Sequence, residues 1–225
     1  MNTAAVIPIR FADCCHDDGS PKLRLQDRPL WEWTFEQARQ TKQLQTIIVA
    51  YDDERFAPHL EAQDARVLPF QRPPFLSGKG YTTLDVLVHV AKSRKEEDKA
   101  PDYYMLLEIT HPLRPPGVLG EFIDLMQANP VDSLVTVRPV HYNFWKRDDS
   151  GTRRIVGSGD DPVTDMYSEL LGIGSLFRAS CAGSDNPFGE SSALAPIEGF
   201  WSRIDARNEM NLWLAEAYLK RLADS

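Results

Sequence analysis

The sequence predicts an α/β protein built on a mostly parallel, doubly wound sheet. Three observations carry this prediction. Apolar, β-branched runs alternate with helical patterns as far as Val137, and that alternation favours parallel strands with helices on both faces. The run from Tyr103 to Leu107 is continuously apolar and passes straight into Glu108, Thr110, His111, Pro112 and Arg114. In open α/β sheets, ligands bind in the crevice beyond the strand carboxyl ends. The composition, 42% hydrophobic and 26% charged over 225 residues, is ordinary for a globular chain and enough to bury a core. One domain spanning residues 1–225 is expected.

The elements follow in order. Residues 4–9 are apolar and read as the first strand. A polar loop runs to Arg28, and Pro29 opens a helical pattern over 30–42, where proline is tolerated. Trp31, Trp33 and Phe35 near this helix start suit a core or an interface. Residues 46–51 form a β-branched strand, and Asp52, Asp53 and Glu54 place carboxylates at the start of a second helix. Residues 66–68 suggest a short strand, and 69–80, rich in Pro and Gly, a loop. Thr82 or Thr83 caps a helix running to Lys95, with Leu84, Leu87, Val88 and Ala91 on one face. The strand 103–107 is followed by a helix over 115–128 and a strand over 133–137.

From Val140 the character changes. Aromatic and charged residues mix, with Gly151, Gly157 and Gly159 as turns, and a hairpin excursion over 140–167 is expected. Strands are expected over 170–177 and 197–204, with the Gly- and Ser-rich stretch 183–195 as a flap or surface loop. An amphipathic helix over 207–222 turns Leu212, Ala215, Tyr218, Leu219 and Leu222 to the core.

A net charge of −8 and a pI near 5.1 argue against a nucleic-acid polymer as partner. No apolar run approaches the roughly 20 residues of a membrane span, and the first residues lack a signal-peptide layout. Three cysteines, two of them adjacent, make no disulfide framework and suit a reducing cytoplasm. Cys14, Cys15, His16, Asp17 and Asp18 lack the spacing of a zinc site and suit a solvated loop.

The loop after the first strand carries Arg10, Gly19, Ser20, Lys22 and Arg24, and such loops cradle phosphates in this fold class. It lacks the dinucleotide-binding glycine fingerprint and the Walker signature, which argues against NAD enzymes and P-loop ATPases. A basic surface loop is the plainer reading. At the end of the central strand, Thr110, His111 and Arg114 suit an anionic, hydroxyl-rich ligand, unless Pro112 merely turns the chain and Arg114 caps the next helix.

Across most of the chain the segments resemble the acylneuraminate (CMP-sialic acid synthetase-like) cytidylyltransferases. Ile7-Pro8-Ile9-Arg10 resembles that family's Ile-Pro-Ala-Arg opening, and Arg28-Pro29-Leu30 its Lys-Pro-Leu helix entry. Val49-Ala50-Tyr51-Asp52-Asp53-Glu54 is similar to Val-Ser-Thr-Asp-Asp-Glu, and Phe70-Gln71-Arg72-Pro73 to Phe-x-Arg-Pro. Thr83-Leu84-Asp85-Val86 precedes His89 as in the family. Leu107 to Arg114 resembles Leu-Gln-Pro-Thr-Ser-Pro-Leu-Arg. Asp132 to Val137 resembles the Asp-Ser strand, and Leu171-Gly172-Ile173 falls where Asn-Gly-Ala stands.

The resemblance implies a nucleotide-diphospho-sugar transferase-like sheet. It implies transfer of CMP from CTP to a keto-sugar acid of the nonulosonate type, with release of pyrophosphate. It implies Mg²⁺ as cofactor, and a homodimer joined through the 140–167 excursion. Tyr142, Phe144 and Trp145 there suit either interface packing or stacking on a base. By position, Arg10, Ser20 and Lys22 would hold phosphates, and Arg72, Thr82 and Thr83 would line the cytidine pocket. Glu108, Thr110, His111 and Arg114 would face the sugar acid. Arg10, Lys22 and Asp205 would be catalytic, with Asp205 the metal ligand.

The departures are specific. The family's Arg-x-Gly-Ser-Lys loop is replaced by Arg10-Phe11-Ala12-Asp13-Cys14-Cys15-His16-Asp17-Asp18, which adds acids near a triphosphate. Glu108 stands where the family has an amide. The family's Asp-Ile-Asp becomes Asp205-Ala206-Arg207, with a cation in place of the second carboxylate. Asp205 alone would suffice for the metal, or Glu198 or Asp161 would substitute for the second carboxylate, or Arg207 would itself neutralise charge without a metal. Asp205 is equally placed to cap the last helix. Two rivals follow: a homologue that binds a nucleotide or sugar acid without turnover, and a transferase for another base or sugar.

Overall fold

The computed structural model describes residues 1–60, 64–140, 145–154 and 166–224. Its elements in chain order are β1 (Thr3–Ile9), α1 (Phe11–Cys14), β2 (Arg24–Leu25), β3 (Arg28–Pro29), α2 (Leu30–Gln40), β4 (Leu44–Tyr51) and β5 (Val67–Gln71). Then follow α3 (Thr83–Glu96), β6 (Tyr103–Leu106), α4 (Val118–Ala128), β7 (Ser133–Val140), β8 (Trp145–Asp148), β9 (Gly151–Arg154) and β10 (Met166–Glu169). The chain closes with β11 (Leu176–Arg178), α5 (Ala179–Ala182), β12 (Ser192–Pro196) and α6 (Glu209–Ala223).

Among the described residues, eight strands make one sheet. Strands β5, β4, β1 and β6 lie side by side in parallel, and β11 follows β6 antiparallel. Strand β7 pairs with β11 and β10 antiparallel and with β12 in parallel. The mostly parallel α/β architecture is therefore present. The period-2 geometry of β1 divides its side chains between two cores. Ala5, Ile7 and Ile9 pack with Trp31, Phe35 and Ala38 of α2 and Leu119, Phe122, Ile123 and Met126 of α4. Ala4 and Val6 pack on the other face with Val86, Leu87, Val90 and Ala91 of α3 and Ala182 of α5. All seven residues of β1 are buried, which explains a continuous rather than alternating apolar run. Helix α6 belongs to a third cluster, where Ala215 meets Leu25, Leu30, Leu113, Ile204 and Ala206. Its expected core face holds except at the last turn, where Leu222 is exposed.

Several expectations need correction. The carboxylate run 52–54 starts a 3₁₀ turn, Glu54–Leu60, and not an α-helix; Pro58 lies inside it and cannot donate to an α ladder. Helix α4 begins at Val118 rather than Pro115, because its N-cap Gly117 is left-handed at φ 88°. The expected strand 170–177 is a 3₁₀ turn, Leu171–Ile173, followed by the three residues of β11. The expected strand 197–204 is also wrong. The strand lies earlier, at β12 in the stretch read as flap or loop, and Ser192 and Ser133 share a hydroxyl contact of 2.8 Å across its pairing with β7. After the bond from Ile197 N–H to Val137 O, Gly199 turns the chain into the 3₁₀ segment Phe200–Arg203. Cys14 and Cys15 are not in a solvated loop. Both thiols are buried, 3.6 Å apart, and burial pushes the Cys14 thiol well above its ordinary range.

Of the excursion, β8 and β9 form a separate two-stranded hairpin with Trp145 exposed. Tyr142, Phe144, Gly157, Gly159 and Asp161 lie outside the described residues. Among the described residues, no helix is long and apolar enough to cross a membrane.

Candidate active site

The carboxyl ends of adjacent parallel strands deliver the polar groups. Ile9 leads to Arg10, Tyr51 to Asp52, Gln71 to Arg72, and Leu106 through Leu107 to Glu108. Asp52 braces two of the neighbouring segments and the turn that ends at Ser77. It accepts from Phe11 N–H at 2.8 Å and from Ser77 Oγ at 2.5 Å, and lies 3.6 Å from Arg72 Nη2. Arg72 is buried and donates from Nη2 to Ile9 O at 2.9 Å, while its Nε has no hydrogen-bond partner. Burial lowers the Arg72 pKa, and Asp52 opposes that shift.

Two cavities open above these ends. The larger, about 800 Å³, is lined among others by Arg10, Asp13, Arg72, Tyr81, Thr82 and Thr83, and also by Glu108, Thr110 and Arg207. The smaller, about 490 Å³, is lined by His111, Arg138, Glu169, Arg203 and Asp205, and again by Thr82, Thr83, Glu108 and Arg207. The four shared residues form the wall where the lobes meet. Thr82 sits there because it caps α3 in a capping box with Asp85, receiving Asp85 N–H at 3.3 Å and donating its own N–H to Asp85 Oδ2 at 2.6 Å. Thr83 then points its hydroxyl at Glu108 Oε1, 2.5 Å away.

Glu108 is the hub of the wall. Its Oε2 lies 3.5 Å from Thr110 Oγ1, 3.6 Å from Arg207 Nη2 and 4.0 Å from His111 Nε2. Its position depends on Gly172, where a Cβ would overlap the Glu108 side chain. His111 is 7% exposed, with Nδ1 unpartnered. Burial first, and then the Arg114 charge, lower its pKa to about 4 against the opposing pull of Glu108 and Asp205.

Arg207 reaches the wall because Ala206 N–H donates to Thr110 O at 2.7 Å, docking the segment before α6 beside β6. It grips Asp205 with both prongs, Nε to Oδ1 at 2.8 Å and Nη2 to Oδ2 at 2.6 Å. The bond to Asp205 raises the Arg207 pKa. Asp205 does not cap α6: Asn208 does, accepting Asn211 N–H at 2.9 Å. As arranged, Asp205 does not fit a Mg²⁺ ligand. Mg²⁺ needs free carboxylate oxygen, and both oxygens face a guanidinium. Among the described residues, no group of three or more His, Cys, Asp or Glu side chains is placed to hold a metal ion.

The structure thus brings together Arg10, Arg72, Thr82, Thr83, Glu108 and Thr110 around the larger lobe, with His111 and Asp205 in the smaller. Three expected ligands fall elsewhere. Ser20 is tied to Asp18, hydroxyl to Oδ1 at 2.6 Å, and Lys22 Nζ donates to Ala12 O at 2.8 Å; neither lines the cavities. Arg114 is 4% exposed, and its fork is spent on the carbonyls of Glu108, His111, Gly172 and Ile173 at 2.6–2.8 Å. It braces the site from behind and does not face a ligand. Nor do Asp17 and Asp18 crowd the cavity; the acid of this loop that lines it is Asp13, 3.6 Å from Arg10. Sequence reasoning missed Arg138 and Arg203, whose place on the smaller lobe depends on β7 and the 3₁₀ turn before Ile204.

No family model matches the chain. Over 68 residues the chain is 38% identical to 3-deoxy-manno-octulosonate cytidylyltransferase of Bdellovibrio bacteriovorus, a match that spans 30% of this chain and 27% of that protein. Solved structures match over nearly the whole length. A CMP:2-keto-3-deoxy-manno-octonic acid synthetase complexed with CTP superposes with a TM-score of 0.67 at 14% identity, covering 98% of this chain and 99% of that one. The 4-diphosphocytidyl-2C-methyl-D-erythritol synthase of Anaerococcus prevotii gives 0.68 at 14% identity, over 97% and 96%. A second synthase of that name gives 0.68 at 12%, over 97% and 98%. The chain has the α/β fold of these cytidylyltransferase structures, along nearly their whole length.

Proposed function

We infer that the chain is a cytidylyltransferase. It binds CTP in the larger lobe and transfers CMP to the hydroxyl of an anionic acceptor, a keto-sugar acid, in the smaller. The observation that carries this reading is the pair of adjoining cavities at the strand carboxyl ends, walled by Thr83, Glu108 and Arg207. A two-substrate transfer needs such a junction, because the acceptor oxygen and the α-phosphorus must meet there. The partial likeness to a 3-deoxy-manno-octulosonate cytidylyltransferase supports the same chemistry and an acidic sugar.

In this reading the acceptor oxygen forms a bond to the α-phosphorus, the bond to the β-phosphate bridging oxygen breaks, and pyrophosphate leaves. Arg10, Arg72 and Arg207 surround the larger lobe with cations that stabilise charge on the phosphates. Glu108, at the junction, is the group placed to take the hydroxyl proton. Arg138 and Arg203 give the smaller lobe the cations an acid acceptor needs. The β8–β9 hairpin, with Trp145 exposed, supports a homodimer joined there.

The occupied state of Asp205 favours one rival, a homologue that binds nucleotide without turnover. Pyrophosphate release from CTP separates the two. The acceptor panel is sialic, legionaminic, pseudaminic and 3-deoxy-octulosonic acids together with a phosphorylated methylerythritol, each with and without Mg²⁺. Turnover with one acid is expected. CTP binding without release across the panel would leave the binding homologue standing.

A further inference from the structure

We propose that Arg207 supplies the fixed positive charge at the junction of the two lobes in place of a carboxylate-held metal ion, gripping a phosphate oxyanion of the nucleotide directly. The identity of the ligand rests on the cytidylyltransferase reading above; the cation and its geometry do not.

Arg207 lines both cavities, and its side chain is 61% exposed. One edge of the guanidinium is fixed by Asp205 through Nε and Nη2. Glu108 draws Nη2 from the other side at 3.6 Å. Among the described residues, Nη1 has no partner. A planar fork held along one edge presents its remaining N–H groups in a fixed direction, which is the geometry that binds phosphate oxygens. The Asp205 backbone is itself held, since Asn211 Nδ2 donates to Asp205 O at 2.5 Å. The carboxylate that anchors the cation is thus itself held through its main chain.

The same arrangement removes the ligands a metal would use. Glu108 at the junction and Asp205 beside it in the smaller lobe both lie against one guanidinium. A Mg²⁺ ion binding Asp205 at about 2.0–2.1 Å would have to displace a charge-assisted, two-pronged ion pair. Around Arg10, Arg72 and Arg207 stand the carboxylates of Asp13, Asp52, Glu108 and Asp205, so the junction offers a phosphate a directed guanidinium fork rather than a net positive field.

The test is calorimetric titration of the full chain with CTP, in EDTA and in Mg²⁺. The wild type is expected to bind CTP in EDTA within about tenfold of its affinity in Mg²⁺. Arg207→Ala is expected to lose about 10- to 100-fold in EDTA, the usual worth of a charge-assisted bond. Arg207→Lys should recover part of that loss, since it keeps charge but not the fork. Arg207→Asp should make CTP binding depend on Mg²⁺. Thermal unfolding of each variant reports whether the fold is intact. Binding by the wild type only in Mg²⁺, or unchanged affinity of Arg207→Ala in EDTA, would overturn the role of Arg207 and leave the cytidylyltransferase reading intact. Absence of CTP binding by the wild type in both buffers would overturn that reading and this inference together.

Discussion

Burial decides the chemistry of His111. A neutral imidazole stands between Glu108 and Arg114, and charging it there is unfavourable, so its pKa falls to about 4. The unfolded chain then binds a proton between pH 6.5 and 4 that the folded chain refuses. Stability contributed by neutral His111 is full above about pH 6.5 and is lost as pH falls toward 4. His111→Gln, which stays polar without titrating, should flatten the fall of stability with pH in that window by up to roughly 1 kcal/mol per pH unit. Urea unfolding at pH 4.5 and 6.5 measures it; parallel curves for the two proteins would refute the assignment. Residue identity was readable from the sequence at Arg10, Arg72, Thr83 and Glu108, because each follows a strand or opens a helix. Burial was not. Arg114 and His111 sit in one short segment, yet Arg114 is turned inward by four carbonyls, two of them supplied by the turn 171–173 more than fifty residues later in the chain.

At the scale of elements, Arg114 joins pieces that sequence order separates. Its fork ties the segment after β6 to the turn before β11, and reaches Thr34 and Gln37 of α2 at 3.2 and 2.9 Å. Full burial lowers its pKa to about 9, still charged at neutral pH. Arg114→Met should cost about 3–5 kcal/mol, because buried carbonyls lose a charged partner. Denaturant unfolding checks this. A stable variant that had lost only acceptor affinity would return Arg114 to the ligand-binding role. Elements defined by local signals were legible: the capped helix α3, the apolar strands β1, β4 and β6, and the amphipathic α6. Elements defined by partners were not. β11 is three residues long and β12 is rich in small residues, so neither carries a periodic pattern; both exist because β7 offers them an edge.

For the molecule as a whole, the hairpin β8–β9 stands apart from the main sheet with Trp145 65% exposed. Large exposed aromatic surface is characteristic of interfaces. Sedimentation at micromolar concentration should give twice the chain mass of 25.5 kDa, and Trp145→Lys should halve it. A wild-type monomer would sink the dimer. The two-lobed cleft, by contrast, is walled within one chain, by strand ends, the start of α3 and the segment before α6.

The position of β11 has a consequence for how the chain is made. This short strand is the seam between β6 and β7 in the sheet. On the ribosome, β6 is finished long before its neighbour exists, and everything between Leu106 and Leu176 is synthesised while that edge stands open. At about 5–20 residues per second the wait lasts some seconds. An apolar strand with a free edge recruits other strands. A nascent or truncated chain ending before Leu176 would therefore lack more than its last helix. It would carry a sticky edge at the middle of its sheet, where another copy could dock.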